Sequence, residues 1–337
     1  SLSLTNYENA VANDSAATLD GFGHGTHVAS VAAGRGFGFY AAPDHTGVAP
    51  GADLYDVKVL NDVGLGTLSD AIEGINWVIF HAKEYNIRVM NLSLAAQSTQ
   101  SWINDPLCIA ARSATAAGIT VVVAAGNFGK STSGQEVFGA VSAPGNDPSV
   151  ITVGAANFKG TNVRSDDVVT AFSSRGPTRG SYVDAGGVRR IDNLIKPDLV
   201  APGNRVIGAA STTAQGYWNY LANAYFNDLV VPANSAQYYG ESVMVMSGTS
   251  IAAPAVAGAA SLIRQYFTDG FYPTGDKCHL DENGYLYFHG RLGGMIKTAG
   301  ANVSPEEVEN VIAAMDDVLE VAVFGVKDRG VARSCRR

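Results

Sequence analysis

The sequence predicts a doubly wound α/β domain over residues 1–272, followed by a small α+β appendage over 273–337. Three observations carry this. Short apolar runs alternate with helix-length amphipathic runs through the first part. The short runs are apolar on both faces, as strands of a parallel sheet covered by helices on either side must be. Charge density then rises at the junction, with 8 Lys+Arg and 10 Asp+Glu falling in the last 65 of 337 residues.

The elements follow in order. LYDVKVL (54–60) reads as a strand, and SDAIEGINWVIFHAKEY (69–85) as a helix with Ser69 as its N-cap. IRVMNLSL (87–94) is the next apolar run, then a helix over about 105–117, then the strand GITVVVAAGN (118–127). In such sheets ligands sit beyond the carboxyl ends of the strands, which is where Asn127 falls. After the junction, Asn283-Gly284 between two half-apolar runs is a hairpin signal. Ser304-Pro305-Glu306-Glu307 is a capping box with proline at the first helical position. VLEVAVFGV (318–326) closes the series as a strand.

Bulk properties exclude several function classes. Hydrophobic content of 46% against 16% charged residues fits a large core and not a disordered chain. A net charge of −8 argues against nucleic acid as a partner. Apolar runs such as ITVVVAAG are too short to span a bilayer, so no membrane partner is expected. Cys108, Cys278 and Cys335 form neither a disulfide framework nor a zinc spacing. Oligomeric state is not readable.

Three motifs carry chemistry: DGFGHGTHVAS (20–30), VVVAAGN (121–127) and SGTSIAAPAVAGAA (247–260). Ser250 lies where an apolar strand turns into a helix of small residues. Taken alone, it is an ordinary cap. A buried helix start, however, aims free N–H groups at a developing oxyanion. His24 sits between two glycines and opens a helix, where a neutral imidazole can take a hydroxyl proton. His27 reads as structural. Asn127 is either a turn residue or an amide donor completing an oxyanion hole with the Ser250 N–H.

GHGTHVA, NLSL, AAGN and SGTSIAAP together resemble the subtilisin-like serine peptidases, the subtilases, over about residues 18–272. The resemblance implies an extracellular endopeptidase acting on polypeptide substrates. His24 would be its general base, Ser250 the nucleophile and Asn127 the oxyanion donor. It also implies a substrate cleft, with Gly64, Leu65 and Gly66 on one side and Ser93, Leu94 and Ala95 on the other. The pocket for the residue before the scissile bond would be lined by Ala124, Ala125 and Gly126. Ala95 and Ala96 stand where the family usually has glycine, which narrows the cleft. The chemistry needs no cofactor; calcium is a structural ion in many members, though no compact acidic loop places a site here.

The family's Asp-Thr-Gly or Asp-Ser-Gly motif does not occur in residues 1–23. Asp14 and Asp20 stand upstream of His24 outside any such motif. The expectation is a domain lacking its first strand and its orienting acid, with impaired catalysis.

A second resemblance covers TGDKCHLDENGYLYFHGRLGGMIKTAGANVSPEEVE (274–309), which is similar to the C-terminal lobe of adenylate-forming acyl-CoA synthetases. It implies a chimera over about 273–330, with Asp276 and Arg291 as vestigial nucleotide-contacting residues. A non-catalytic product, or a ligase or CoA-binding fragment, is the alternative function.

Overall fold

The computed structural model describes residues 20–36, 46–97, 99–161, 163–211, 219–225 and 242–265, and the short segments 276–280, 286–291, 296–298, 301–303, 308–309, 311–312, 324–326 and 334–336. The chain divides into two compact units, Ser1–Gln265 and Tyr266–Arg337.

In the first unit the helices are α1 (His24–Ala33), α2 (Leu68–His81), α3 (Pro106–Ala116), α4 (Tyr220–Ala224) and α5 (Thr249–Gln265). The strands are β1 (Val89–Leu92), β2 (Thr120–Ala124), β3 (Ile151–Asn157), β4 (Val168–Val169), β5 (Ser181–Val183), β6 (Arg189–Ile191), β7 (Leu199–Pro202), β8 (Val206–Ala210) and β9 (Ser242–Met246). The central sheet runs β1-β2-β3-β7 with all pairings parallel, and β4 adds an antiparallel pairing at the end of β3. β8 and β9 form a separate antiparallel pair that delivers the chain into α5.

Strand β2 explains the layering. Its side chains alternate between faces. Val121 and Val123 join Met90 and Leu92 against Ala71, Ile75 and Val78 of α2 and Leu107 and Ala111 of α3. Val122 and Ala124 join Val153 and Ala155 against Ala252, Ala253 and Ala257 of α5. All three valines are at most 2% exposed. Full burial of each contributes about 1.5–3 kcal/mol, so β2 is apolar without a break because both its faces are covered. This is the predicted doubly wound architecture.

Two expectations need correction. Residues 54–60 do not join the sheet. Val57 packs onto the cluster beside α2, but Leu54 and Tyr55 are 57% and 45% exposed, and the segment has no ladder partner among the described residues. Apolar alternation gives a strand's packing; only a neighbour gives its hydrogen bonds. Among the described residues β1 is accordingly an edge of the sheet. Helix α2 starts one residue before Ser69. Thr67 Oγ1 accepts from the Asp70 N–H at 3.2 Å and Asp70 Oδ2 accepts from the Thr67 N–H at 2.8 Å. This reciprocal box outcompetes a serine that would lie inside the first turn. The helix also ends at His81, and the chain turns through Asn86 at φ 53°.

In the second unit β10 (Asp276–Leu280) pairs antiparallel with β11 (Leu286–Arg291), flanking the expected hairpin turn. β12 (Ile296–Thr298) pairs with β13 (Ala301–Val303), and β14 (Phe324–Val326) with β15 (Ser334–Arg336). Of the expected strand 318–326 only Phe324–Val326 is described. Asp14, the Asn283-Gly284 turn and the 304–307 capping box lie outside the described residues.

Candidate active site

Helix α5 places Ser250 in its first turn, and α1 places His24 at its start. Ser250 Oγ and His24 Nε2 are 3.0 Å apart across 226 residues of sequence. Burial holds the His24 pKa below its ordinary value, with the Asp20 carboxylate pulling it the other way. The imidazole is therefore neutral at pH 7, as an acceptor for the serine proton must be.

Asn127 lies three residues past the end of β2. Its Oδ1 accepts from both the N–H and the hydroxyl of Thr249, at 2.9 and 3.1 Å. That consumes the acceptor end of the amide and leaves Nδ2 facing away from Thr249. A Cβ placed on Gly248 would sit 3.0 Å from Ser250 Oγ and 3.4 Å from Asn127 Nδ2. The hydroxyl and the amide donor thus converge on one space, kept open by a glycine. The Ser250 N–H has no acceptor among the described residues and lies at the positive end of α5.

Thr249 is a residue that the motif reading passed over. Besides its bonds to Asn127, its hydroxyl accepts from the Gly126 N–H at 3.0 Å. It ties the 126–127 turn to the start of α5. The readable signal was its place beside Ser250, but its neighbour's role hid it.

His24 Nδ1 has no hydrogen-bonded partner among the described residues. Asp20 does not supply one. Its carboxylate caps α1, accepting from Gly23 N–H at 2.8 Å and Thr26 N–H at 2.7 Å. His27 is fully buried, with Nε2 3.1 Å from the Val206 carbonyl. Its pKa falls to about 4, chiefly through burial.

The cleft residues divide. Phe22, two residues before His24, stacks on Tyr220. A Cβ on Gly64 would lie 2.6 Å from the Phe22 ring, so the 64–66 segment runs beside the His24 loop. Gly64 takes φ 76°, open to glycine without strain. Leu65 spends its main chain internally. Its N–H donates to Asn61 Oδ1 at 3.0 Å and its carbonyl accepts from Asn61 N–H at 2.8 Å. Gly64 donates its own N–H to the Asn61 carbonyl at 2.9 Å, so among the described residues the Gly64 carbonyl and the Gly66 main chain are left there for an incoming strand. On the other side, Ser93 Oγ donates to the Ser250 carbonyl at 2.6 Å. Leu94 is half-buried and Ala95 exposed, while Ala96 and Ala143 exchange main-chain bonds of 3.0 Å each.

Ala124 and Ala125 are 3% and 0% exposed, and the Ala124 methyl belongs to the core against α5. Any pocket at this turn uses their main chain and Gly126. Gly126 takes φ 98°, and a Cβ there would lie 2.7 Å from Ser142 Oγ and 3.0 Å from Ser174 Oγ. A groove of about 560 Å³ runs along the 58–73 segment, between Lys58–Asn61 and Leu65–Thr67 with Asp70 and Glu73. It contains neither His24 nor Ser250, whose geometry marks the chemistry.

Among the described residues no three His, Cys, Asp or Glu side chains converge as metal ligands, and no helix is long and apolar enough to cross a membrane. Asp276 and Arg291 stand opposite one another across the β10–β11 pair.

Against known protein families, residues 2–275 match the model of the subtilase family. The chain belongs to the subtilases. The match begins further upstream than the motifs 20–30, 121–127 and 247–260 alone reach. The chain is 36% identical over 262 residues to the serine protease AprX of Bacillus subtilis (strain 168), covering 76% of this chain and 52% of that protein. It is 35% identical to subtilisin DY of Bacillus licheniformis, covering 72% and 64% respectively. It thus spans between about half and two thirds of the length of these relatives. A solved cold-adapted subtilisin-like serine proteinase is 27% identical, covers 76% of this chain and 65% of that one, and gives a TM-score of 0.48. The family match stops at residue 275, and the ligase-like reading of the following residues finds no support in these comparisons.

Proposed function

We propose that this chain is a serine endopeptidase that cleaves polypeptides through an acyl-enzyme at Ser250. The observation that carries it is the 3.0 Å approach of His24 Nε2 to Ser250 Oγ at a helix N-terminus. Neutral His24 takes the hydroxyl proton as Oγ attacks the scissile carbonyl. The resulting oxyanion sits between the Ser250 N–H and Asn127 Nδ2. The imidazolium then protonates the leaving amine, and water releases the acyl group by the same route in reverse. The substrate strand pairs with Gly64 and Gly66 on one side and with 93–95 on the other, by main-chain bonds that accept many sequences.

His24 is an under-supported base in this reading. For Nε2 to accept the serine proton, Nδ1 must carry its own, and no described carboxylate or carbonyl receives it. Such a base loses the partner that fixes its tautomer and stabilises its charged form, so turnover is low. An extended strand carrying a carboxylate, added along the side of β1 that has no described neighbour, raises it. Calcium enters as a stabilising ion only, without an assigned site. Secretion is the family habit we extend to this chain. For residues 273–330 we assign no nucleotide, CoA or other ligand, and Asp276 and Arg291 have no part in the chemistry.

The test is digestion of an unfolded protein substrate by the purified chain beside Ser250→Ala. Cleavage lost in the variant is the expected result. Equal cleavage by both would overturn the proposal.

A further inference from the structure

Ser250 lies in the first turn of a helix that cannot complete that turn by its own backbone bonds. In an α-helix the carbonyl of residue i accepts the N–H of residue i+4. For Ser250 that residue is Pro254, which lies inside α5 and has no N–H. The carbonyl is nevertheless satisfied. Ser93, just past the end of β1, donates its hydroxyl to it at 2.6 Å.

The direction of the bonds around Ser93 follows from proton counting. A carbonyl only accepts, so the single hydroxyl proton of Ser93 is committed to Ser250. Ser93 Oγ must then accept from Asn91, 2.9 Å away, which turns Asn91 Nδ2 toward Ser93. Asn91 Oδ1 is left buried without a partner among the described residues. A one-way relay therefore runs from β1 to the backbone of Ser250. It meets a second tether from the other side. Thr249, the preceding residue, is held through its N–H and hydroxyl by Asn127 Oδ1. Ser250 sits between the two anchors.

We propose that Ser93 is a positioning residue for Ser250, its hydroxyl replacing the helix bond that Pro254 deletes. With both tethers in place the Gly248–Thr249 and Ser250–Ile251 peptides that bracket Ser250 are held, and with them the aim of its N–H and of Oγ. Pro254 is the complementary half of the device. Without its ring, an N–H at 254 would draw the carbonyl along the helix axis and away from β1. The inference rests on the peptidase reading for its catalytic meaning, but the tie itself does not depend on activity.

A double-mutant cycle on the full chain tests it, using Ser93→Ala, Pro254→Ala and the pair. The first readout is the rate at which a fluorophosphonate probe labels Ser250. Ser93→Ala slows labelling about tenfold, the loss of one charge-neutral anchoring bond plus misaim of the nucleophile. In the Pro254→Ala background, where the helix supplies its own N–H, adding Ser93→Ala changes the rate by less than about threefold. Ser93→Thr, which keeps the hydroxyl, retains most of the rate. The same factor lost in both backgrounds would overturn the proposal. Absence of labelling in the parent chain would sink the peptidase reading. The tie would then be read from urea midpoints of the same four proteins. Ser93→Ala must lower the midpoint with Pro254 present and not with alanine there; an equal drop in both would refute it.

Discussion

Lowering the pH should unfold this protein through His27 before it reaches the carboxylates. His27 is fully buried on α1, its Nε2 holds the Val206 carbonyl, and its Nδ1 has no partner among the described residues. Charging it would bury a cation, and its pKa falls from 6.5 to about 4 in the folded state. The unfolded chain therefore binds the proton first. Stability that is complete above pH 6.5 is lost as pH falls toward 4. At about 1.36 kcal/mol per pKa unit, the full span is worth about 3 kcal/mol, and about 2.5 kcal/mol of it is gone by pH 4.5. The assay is urea denaturation at pH 7.5 and pH 4.5, followed by tryptophan fluorescence, on the chain and on His27→Asn. The comparison isolates His27 from His24, whose pKa is also lowered. The variant starts less stable but loses about 2.5 kcal/mol less across this window. An equal loss in both proteins would refute the argument that burial of a neutral His27 sets the acid limit.

Other outcomes follow from the same geometry. The rate of Ser250 labelling should fall with pH through a midpoint below 6.5, because burial lowers the His24 pKa; a pH profile with its midpoint above 6.5 would contradict this. Asn127→Leu should slow peptide turnover by about 10²–10³-fold, the range subtilisin itself established for a lost oxyanion donor; kinetics at saturating substrate checks it. Gly126→Ala should destabilise the chain and impair binding of substrates with large side chains before the scissile bond, since φ 98° and contacts of 2.7 and 3.0 Å to Ser142 and Ser174 leave no room for a methyl; urea midpoints and KM values show both. Ile251→Ala, at a fully buried position, should cost about 2–5 kcal/mol of stability by leaving a cavity beneath the α5 start.

What was legible in the sequence was local. The unbroken apolar run of β2 announces burial on both faces, and His24, Asn127 and Ser250 each stand in a short motif whose neighbours explain them. The failures come from effects that a single segment does not contain. Residues 54–60 have a strand's alternation and pack like one, but no described strand lies beside them. Ser69 is a good cap residue, displaced because Thr67 and Asp70 satisfy each other. Leu65 sits in a stretch read as a substrate edge, yet Asn61 takes both its main-chain groups. Ala124 lies within the expected pocket turn, but the alternation of β2 points its methyl into the core. The Ser93 tie is the most distant effect of all. Its one sequence signal is Pro254, four residues past Ser250, which says that a carbonyl lacks its donor without saying which residue supplies another.

The central claim is that His24 and Ser250 form a working nucleophile without a described partner on His24 Nδ1. Intact mass after incubation with a fluorophosphonate probe, beside Ser250→Ala, tests it most directly. A single adduct that disappears in the variant is the result expected here. No adduct on folded, soluble protein, or one that persists in Ser250→Ala, would contradict it.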